Sequence, residues 1–307
     1  MRIAVVGAGG VGGYFGARLA KAGCDVTFVA RGAHLAAMRD KGLRVLSEGG
    51  DIHLDSPKLV DSPEHLPPVD LVIVAVKLWD TEQVATALRP VAEQGAAVVS
   101  FQNGVAKDEI LARYLPEGSI LGGSSFISAF IESPGVVRHV GALQRLVFGE
   151  YNGQRSARVE DFLDACVRAG INAEIHDEVR RQVWEKFVFL VGLSGATSAI
   201  RQTIGPVREN PRSRAFLHDL MRETVAVGRA RGINLAENYA DDRLAFCDTL
   251  PPGMTSSMHN DLERGNRLEV AWLSGGVADY GRELGVPTPR NQAVADILAI
   301  YAQGTKR

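Results

Sequence analysis

An α/β amino-terminal part built on a doubly wound sheet, followed by an all-α part, is the architecture predicted for this chain of 307 residues. The first sign is a series of short apolar runs at residues 2–6, 25–30, 70–76 and 96–101, separated by helix-like stretches. Such uninterrupted runs belong to parallel strands covered on both faces. The second sign is the turn Gly7-Ala8-Gly9-Gly10-Val11-Gly12, placed between the first run and Tyr14-Phe15-Gly16-Ala17-Arg18-Leu19-Ala20. The third is the loss of strand patterning after about Val179, from where the sequence reads as helical. The boundary is therefore expected between a Rossmann-type domain at residues 1–178 and an all-α domain at residues 179–307.

Each element has its own justification. Gly7 permits a tight turn, Gly9 a close approach of backbone to a pyrophosphate, and Gly12 close packing of helix on strand. The helix that follows offers unpaired N–H groups and the positive end of its dipole to phosphate. The second strand, Asp25–Ala30, ends in Arg31 where an NAD site would carry an acidic residue for the ribose 2′-hydroxyl. A guanidinium there suits a 2′-phosphate, so NADP(H) is expected over NAD(H); the plainer reading is a solvated arginine after a strand. A two-stranded insertion is predicted around 44–54, with Gly49-Gly50 at its turn. Residues 70–76 form a buried strand leading to Lys77 and a helix over about 80–92; residues 96–101 repeat the pattern and end in Gln102-Asn103-Gly104. Residues 120–150 read as antiparallel strands, followed by a helix at 156–169 and a strand near 173–175. In the second part, Val183–Ile200 is apolar nearly all round and reads as a central helix. Residues 211–231 form an amphipathic helix ending at Gly232. One long helix is predicted from Ser256 to about Glu283, weakened by Gly265, Gly275 and Gly276, and a last one over 293–302.

Composition narrows the function classes. With 46% hydrophobic and 23% charged residues and a net charge of −2, the chain reads as an ordinary globular protein with no electrostatic pull toward nucleic acid or an anionic membrane. No apolar run is expected to reach the roughly 20 residues of a membrane span. No leader is read ahead of a first strand that starts at residue 2. The three dispersed cysteines, Cys24, Cys166 and Cys247, fit reduced thiols in the cytoplasm. The seven histidines show no metal-binding spacing, and His259 reads as a helix surface residue. Helical domains of this kind pair in some proteins, so a homodimer stays open.

Several side chains are candidates for chemistry. Lys186 stands inside the apolar helix, in Trp184-Glu185-Lys186-Phe187. Desolvation lowers an ammonium's pKa, and a lysine so placed can donate a proton to a ketone that has just received hydride. Its alternative is to snorkel to the surface. Glu269 adjoins apolar residues on the later predicted helix and is a candidate partner for Lys186, or else a solvated carboxylate. Ser257, near that helix's start, reads as a cap or as a ligand-binding hydroxyl. Lys77 and Asn103 follow parallel strands at their carboxyl ends, where open α/β sheets bind ligands, although either is also ordinary punctuation.

Together these residues resemble the ketopantoate reductase (2-dehydropantoate 2-reductase) family over essentially the whole chain. The pieces are Gly7–Gly12, Arg31, Val76-Lys77, Gln102-Asn103-Gly104, Trp184-Glu185-Lys186-Phe187, Thr255-Ser256-Ser257-Met258 and Glu269. The resemblance implies NADPH-dependent reduction of a 2-keto acid, nominally 2-dehydropantoate to pantoate. Gly7, Ala8, Gly9, Gly10, Val11 and Gly12 would cradle the pyrophosphate, and Arg31 would hold the 2′-phosphate. Lys77 and Asn103 would line the cofactor and substrate side of a cleft, with Ala129 near the nicotinamide. Lys186 would be the general acid, Glu269 would orient cofactor and lysine, and Ser257 would bind the substrate carboxylate. The chain departs from the family at Leu190 and Ser194, where asparagines four and eight residues after the lysine would bond the substrate. That departure keeps another 2-keto acid or an imine open as substrate. A nucleotide-sensing protein without catalysis is disfavoured, because a sensor needs neither Lys186 nor Glu269.

Overall fold

The computed structural model describes residues 1–305 and divides into two compact units, residues 1–103 with 107–179, and residues 104–106 with 180–307. The first unit contains β1 (Arg2–Val6), α1 (Gly10–Lys21), β2 (Asp25–Val29), α2 (Gly32–Lys41), β3 (Leu43–Leu46), β4 (Ile52–Leu54) and β5 (Lys58–Val60). It continues with β6 (Leu71–Val74), α3 (Thr81–Glu93), β7 (Ala97–Ser100), α4 (Ala106–Tyr114), β8 (Ile120–Ser133), β9 (Val136–Gly149), α5 (Ala157–Arg168) and β10 (Asn172–Ile175). The strands lie in the order β4-β3-β9-β8-β7-β6-β1-β2-β5, with β10 on β9. From β5 through β2, β1, β6 and β7 to the start of β8 all pairings are parallel. The chain runs outward from β1 to β2 and β5, then returns to the other side of β1 with β6, which is the strand-order reversal of doubly wound sheets.

Alternation within the apolar runs explains why helices cover both faces. Ile3, Val5, Leu71, Ile73, Ala97 and Val99 share one core with Tyr14 and Phe15 of α1 and Phe162 of α5. Their neighbours Ala4, Val6, Val72, Val74 and Val98 share the other with Val84 and Leu88 of α3 and Leu111 of α4. The β3–β4 insertion forms as an antiparallel pair with Leu43 opposite Leu54, and β8 pairs antiparallel with β9. Helix α2, strand β5 and helix α4 are not among the elements the sequence predicts. Strand β5 is three residues long, half-buried at Leu59 and Val60, and sits at a sheet edge. The first turn of helix α4 carries Lys107 and Asp108, which are 1% and 9% exposed, so two charged residues lie on its buried side and hide its pattern.

The second unit is helical: α6 (Val179–Ile200), α7 (Ile204–Glu209), α8 (Pro211–Ala230), α9 (Tyr239–Thr249), α10 (Ser257–Glu263), α11 (Ser274–Leu284) and α12 (Pro289–Leu298). Its core joins Phe187, Val188 and Val191 of α6 to Leu217, Leu220 and Met221 of α8. Helix α6 corrects one expectation. Its 22 residues, with mean hydropathy 1.2 in the best window, are long and apolar enough to cross a bilayer, but 67% of that window is buried, as in a core helix. The single helix expected over 256–283 is instead two. Gly265 adopts φ +65° and ends the first of them, and the chain stays irregular until Ser274. Helix α9 was not anticipated because, of its residues, Ala240 and Cys247 alone are buried, too few for a stripe.

Candidate functional site

In the first unit the site is built at the carboxyl ends of neighbouring strands β7, β6, β1 and β2. Gly7 leaves β1 with φ +100°, and a β-carbon there would lie 2.8 Å from the Ala75 carbonyl carbon and the Val76 nitrogen. The amides of Gly7 and Ala8 donate to the Val29 carbonyl at 3.1 and 3.3 Å, which ties the turn to β2. A β-carbon at Gly12 would overlap the Gly7 carbonyl and press on Val5, so α1 packs directly on β1. A β-carbon at Gly9, by contrast, would meet nothing within 4 Å. Gly9 is the N-cap of α1, makes no side-chain cap, and no acidic residue stands in the first turn. Open space before unpaired helix amides, together with the dipole, is the environment a pyrophosphate needs. The turn fits a dinucleotide.

Two further contacts fix this turn. Ala129 of β8 lies against it: a β-carbon at Gly10 would be 2.5 Å from the Ala129 carbonyl carbon. The structure thus brings Ala129 to the glycine turn. His34 of α2 approaches from another side, its Nε2 2.8 Å from the Ala8 carbonyl and its Nδ1 3.0 Å from the Gly135 amide nitrogen. The amide must donate and the carbonyl must accept, so the ring is neutral with its proton on Nε2. Burial lowers the His34 pKa from its ordinary value. No sequence signal marked His34; its role depends on a contact with Gly135, 101 residues away.

Lys77 and Asn103 occupy matching positions, three residues past the paired Val74 and Ser100. Lys77 leads a turn of 3-10 helix over Leu78–Asp80, with its ammonium 5.8 Å from the Trp79 ring centre. Gln102 connects the two loops. Its Nε2 donates to the Val76 carbonyl at 3.0 Å and to Thr81 Oγ1 at 2.8 Å, while its Oε1 accepts from Ser100 Oγ at 2.9 Å. Beneath them the Lys107 ammonium donates to both Asp108 carboxylate oxygens, at 3.0 and 2.9 Å, and to the Ser100 carbonyl at 3.0 Å. A buried network therefore sets the backbone that presents Lys77 and Asn103. Its sequence marker was Gln102-Asn103-Gly104, which reads first as a turn. Arg31, the N-cap of α2, is exposed but paired: Nη2 donates to Asp80 Oδ2 at 2.7 Å.

In the second unit, Lys186, Leu190 and Ser194 fall on one stripe of α6. Lys186 and Leu190 are half-buried. Ser194 is fully buried, and its hydroxyl has no hydrogen-bond partner among the described residues. Ser256, not Ser257, caps α10, accepting from the His259 amide at 3.0 Å; Ser257 is the exposed first helical residue. His259 is likewise corrected. It is 8% exposed, with Nδ1 2.9 Å from the Thr197 carbonyl of α6. That bond ties α10 to α6 at Thr197. Glu269 is buried rather than solvated, and it lies in the irregular segment before α11 rather than on a helix. Its carbonyl accepts from the amides of Trp272 and Leu273 at 3.0 and 3.2 Å.

Comparison with known proteins gives consistent matches. The family model described as "Ketopantoate reductase PanE/ApbA" matches residues 3–153, and its C-terminal counterpart matches residues 178–302. The chain is 32% identical to a 2-dehydropantoate 2-reductase of Halobacterium salinarum, covering 98% of each chain. It is 30% identical to an uncharacterized oxidoreductase, YkpB, of Bacillus subtilis, covering 98% of this chain and 99% of that one. Among solved structures, a 2-dehydropantoate 2-reductase from Geobacter metallireducens superposes with a TM-score of 0.90 at 32% identity, covering 98% of this chain and 99% of the other.

Proposed function

This chain belongs to the ketopantoate reductase family, an oxidoreductase family acting on keto and hydroxyl groups, and on that premise we propose that it reduces 2-dehydropantoate to pantoate with NADPH. The observation that carries the reading is the glycine turn of β1 and α1: open at Gly9, backed by the Ala129 carbonyl at Gly10, and free of carboxylates in the first helical turn. It supports a dinucleotide on residues 7–12, with Arg31 toward the 2′-phosphate and Lys77 and Asn103 toward the reacting end.

A dinucleotide held on residues 7–12 would supply hydride to the C2 carbonyl carbon, leaving the ketone oxygen as an alkoxide in need of a proton. Lys186 hands a proton from Nζ to that oxygen, so the products are the 2-hydroxy acid, the oxidised dinucleotide and a neutral lysine that regains its proton from solvent. Glu269 orients the cofactor and Lys186, and the Ser257 hydroxyl donates to the substrate carboxylate. Leu190, one turn beyond Lys186 on α6, gives that stripe an apolar surface suited to the branched carbon chain of the substrate. The buried Ser194 hydroxyl extends the same stripe. The three unpaired cysteines fit a cytoplasmic setting.

NADPH consumption across a panel of 2-keto acids tests the proposal. Preference for 2-dehydropantoate, with pantoate as product, is expected. A rate on 2-dehydropantoate no better than on unrelated 2-keto acids would assign the site to another substrate of that class.

A further inference from the structure

We propose that Asp80 sets the strength of the preference for a 2′-phosphorylated cofactor by competing with the 2′-phosphate for Arg31. The inference rests on the assignment of Arg31 to the 2′-phosphate and adds a second residue to that selection. Strands β2 and β6 flank β1, with Val29 and Val74 both opposite Val6. Arg31 follows β2 and Asp80 follows β6, so their contact of 2.7 Å spans the carboxyl end of β1, alongside the glycine turn. A dinucleotide whose pyrophosphate rests on that turn carries its adenosine ribose toward the end of β2. The ion pair lies across that path.

The two partners differ in freedom. The Arg31 side chain is 62% exposed and that of Asp80 is 22% exposed. Asp80 closes a turn whose shape is set from beneath. Its amide donates to the Lys77 carbonyl at 2.9 Å, and the next residue, Thr81, is fully buried. The Thr81 hydroxyl donates to the Leu78 carbonyl at 2.8 Å and accepts from Gln102 at 2.8 Å. The backbone carrying Asp80 is thus held in place, and the guanidinium reaches its short side chain on a longer, more exposed stem.

A 2′-phosphate must draw Arg31 from this carboxylate, or share it while lying near a like charge. Both oppose NADPH. NADH carries a hydroxyl at the same position and needs no such exchange. Asp80 is therefore a positioning residue that moderates selectivity. An exposed ion pair is weak, so its removal should tighten NADPH by about two- to fivefold, more at low ionic strength.

The test is a set of dissociation constants for NADPH and NADH, from quenching of protein fluorescence, in the wild type, Asp80→Asn, Arg31→Ala and the double variant. Asparagine preserves the shape at residue 80, and Asp80→Ser serves as a second variant with thermal melting as the folding control. Tighter NADPH with unchanged NADH in Asp80→Asn, and loss of most of that gain in the Arg31→Ala background, is the expected result. Unchanged or weaker NADPH binding in both residue-80 variants would overturn the role of Asp80, even with Arg31→Ala weakening NADPH about tenfold or more. An unaltered NADPH/NADH ratio in Arg31→Ala would remove the phosphate assignment itself, and this proposal with it.

Discussion

Replacing Gly9 with alanine separates folding from cofactor binding at the glycine turn. Gly9 has φ −75° and ψ −155°, outside the left-handed region, and a β-carbon there meets no atom within 4 Å. The substitution costs stability only through a less favourable helix cap, under about 1 kcal/mol. The new methyl group, however, stands before the first amides of α1, where phosphate oxygens would approach. Loss of one charge-assisted hydrogen bond, about 1.5–3 kcal/mol, weakens NADPH binding about ten- to hundredfold. Gly10→Ala is the matched comparison. Its β-carbon would lie 2.5 Å from the Ala129 carbonyl carbon and 2.8 Å from the Phe130 nitrogen. These are backbone atoms that no rotamer change moves, so about 1–3 kcal/mol of stability should be lost. Urea unfolding and NADPH titration of both variants give the readout. Gly9→Ala with wild-type NADPH affinity would refute the pyrophosphate seat. Gly9→Ala as unstable as Gly10→Ala would refute the open space before α1.

Three further outcomes are expected. Lys186→Ala should lower kcat about 10²- to 10⁴-fold with little change in the NADPH dissociation constant, measured by stopped-flow turnover and titration; unchanged kcat would remove Lys186 from proton transfer. Lys107→Met should cost about 3–5 kcal/mol in urea unfolding, because it strands the Asp108 carboxylate, whose side chain is 11% exposed. The added change Asp108→Asn should restore part of that loss, and no restoration would refute the pairing argument. His34 should make stability depend on pH. Its folded pKa lies below the unfolded value near 6.5, so the unfolded chain takes up the proton first. That contribution is full above about pH 6.5 and is lost as pH falls through the folded pKa. His34→Gln should flatten this slope between pH 7.5 and about 5.5, and an unchanged slope would contradict the neutral bridge to Ala8 and Gly135.

The sequence made the central sheet legible because strands buried on both faces leave continuous apolar runs, as Leu71–Val74 and Ala97–Ser100 do. The glycine turn was legible because backbone geometry there excludes side chains at Gly7 and Gly12. The matching placement of Lys77 and Asn103, three residues past paired Val74 and Ser100, was legible because both follow such apolar runs. What escaped has physical reasons. Lys107 and Asp108 are buried charges satisfied by each other, so periodicity takes them for a solvated face. His34 and Asp80 bond to partners 101 and 49 residues away in sequence, which no local pattern marks. The long helix expected through Glu269 is broken because Gly265 does more than lower helix propensity: its left-handed backbone ends α10 outright. Ser256 took the cap because its hydroxyl, not that of Ser257, reaches the His259 amide.

Isotope transfer tests the proposed chemistry most directly. With 2-dehydropantoate and NADPH deuterated at the transferable nicotinamide position, the product pantoate should carry one deuterium, bound to C2, by mass spectrometry and proton NMR. Pantoate without deuterium at C2, or no pantoate while the cofactor stays reduced, would contradict direct hydride delivery to that ketone.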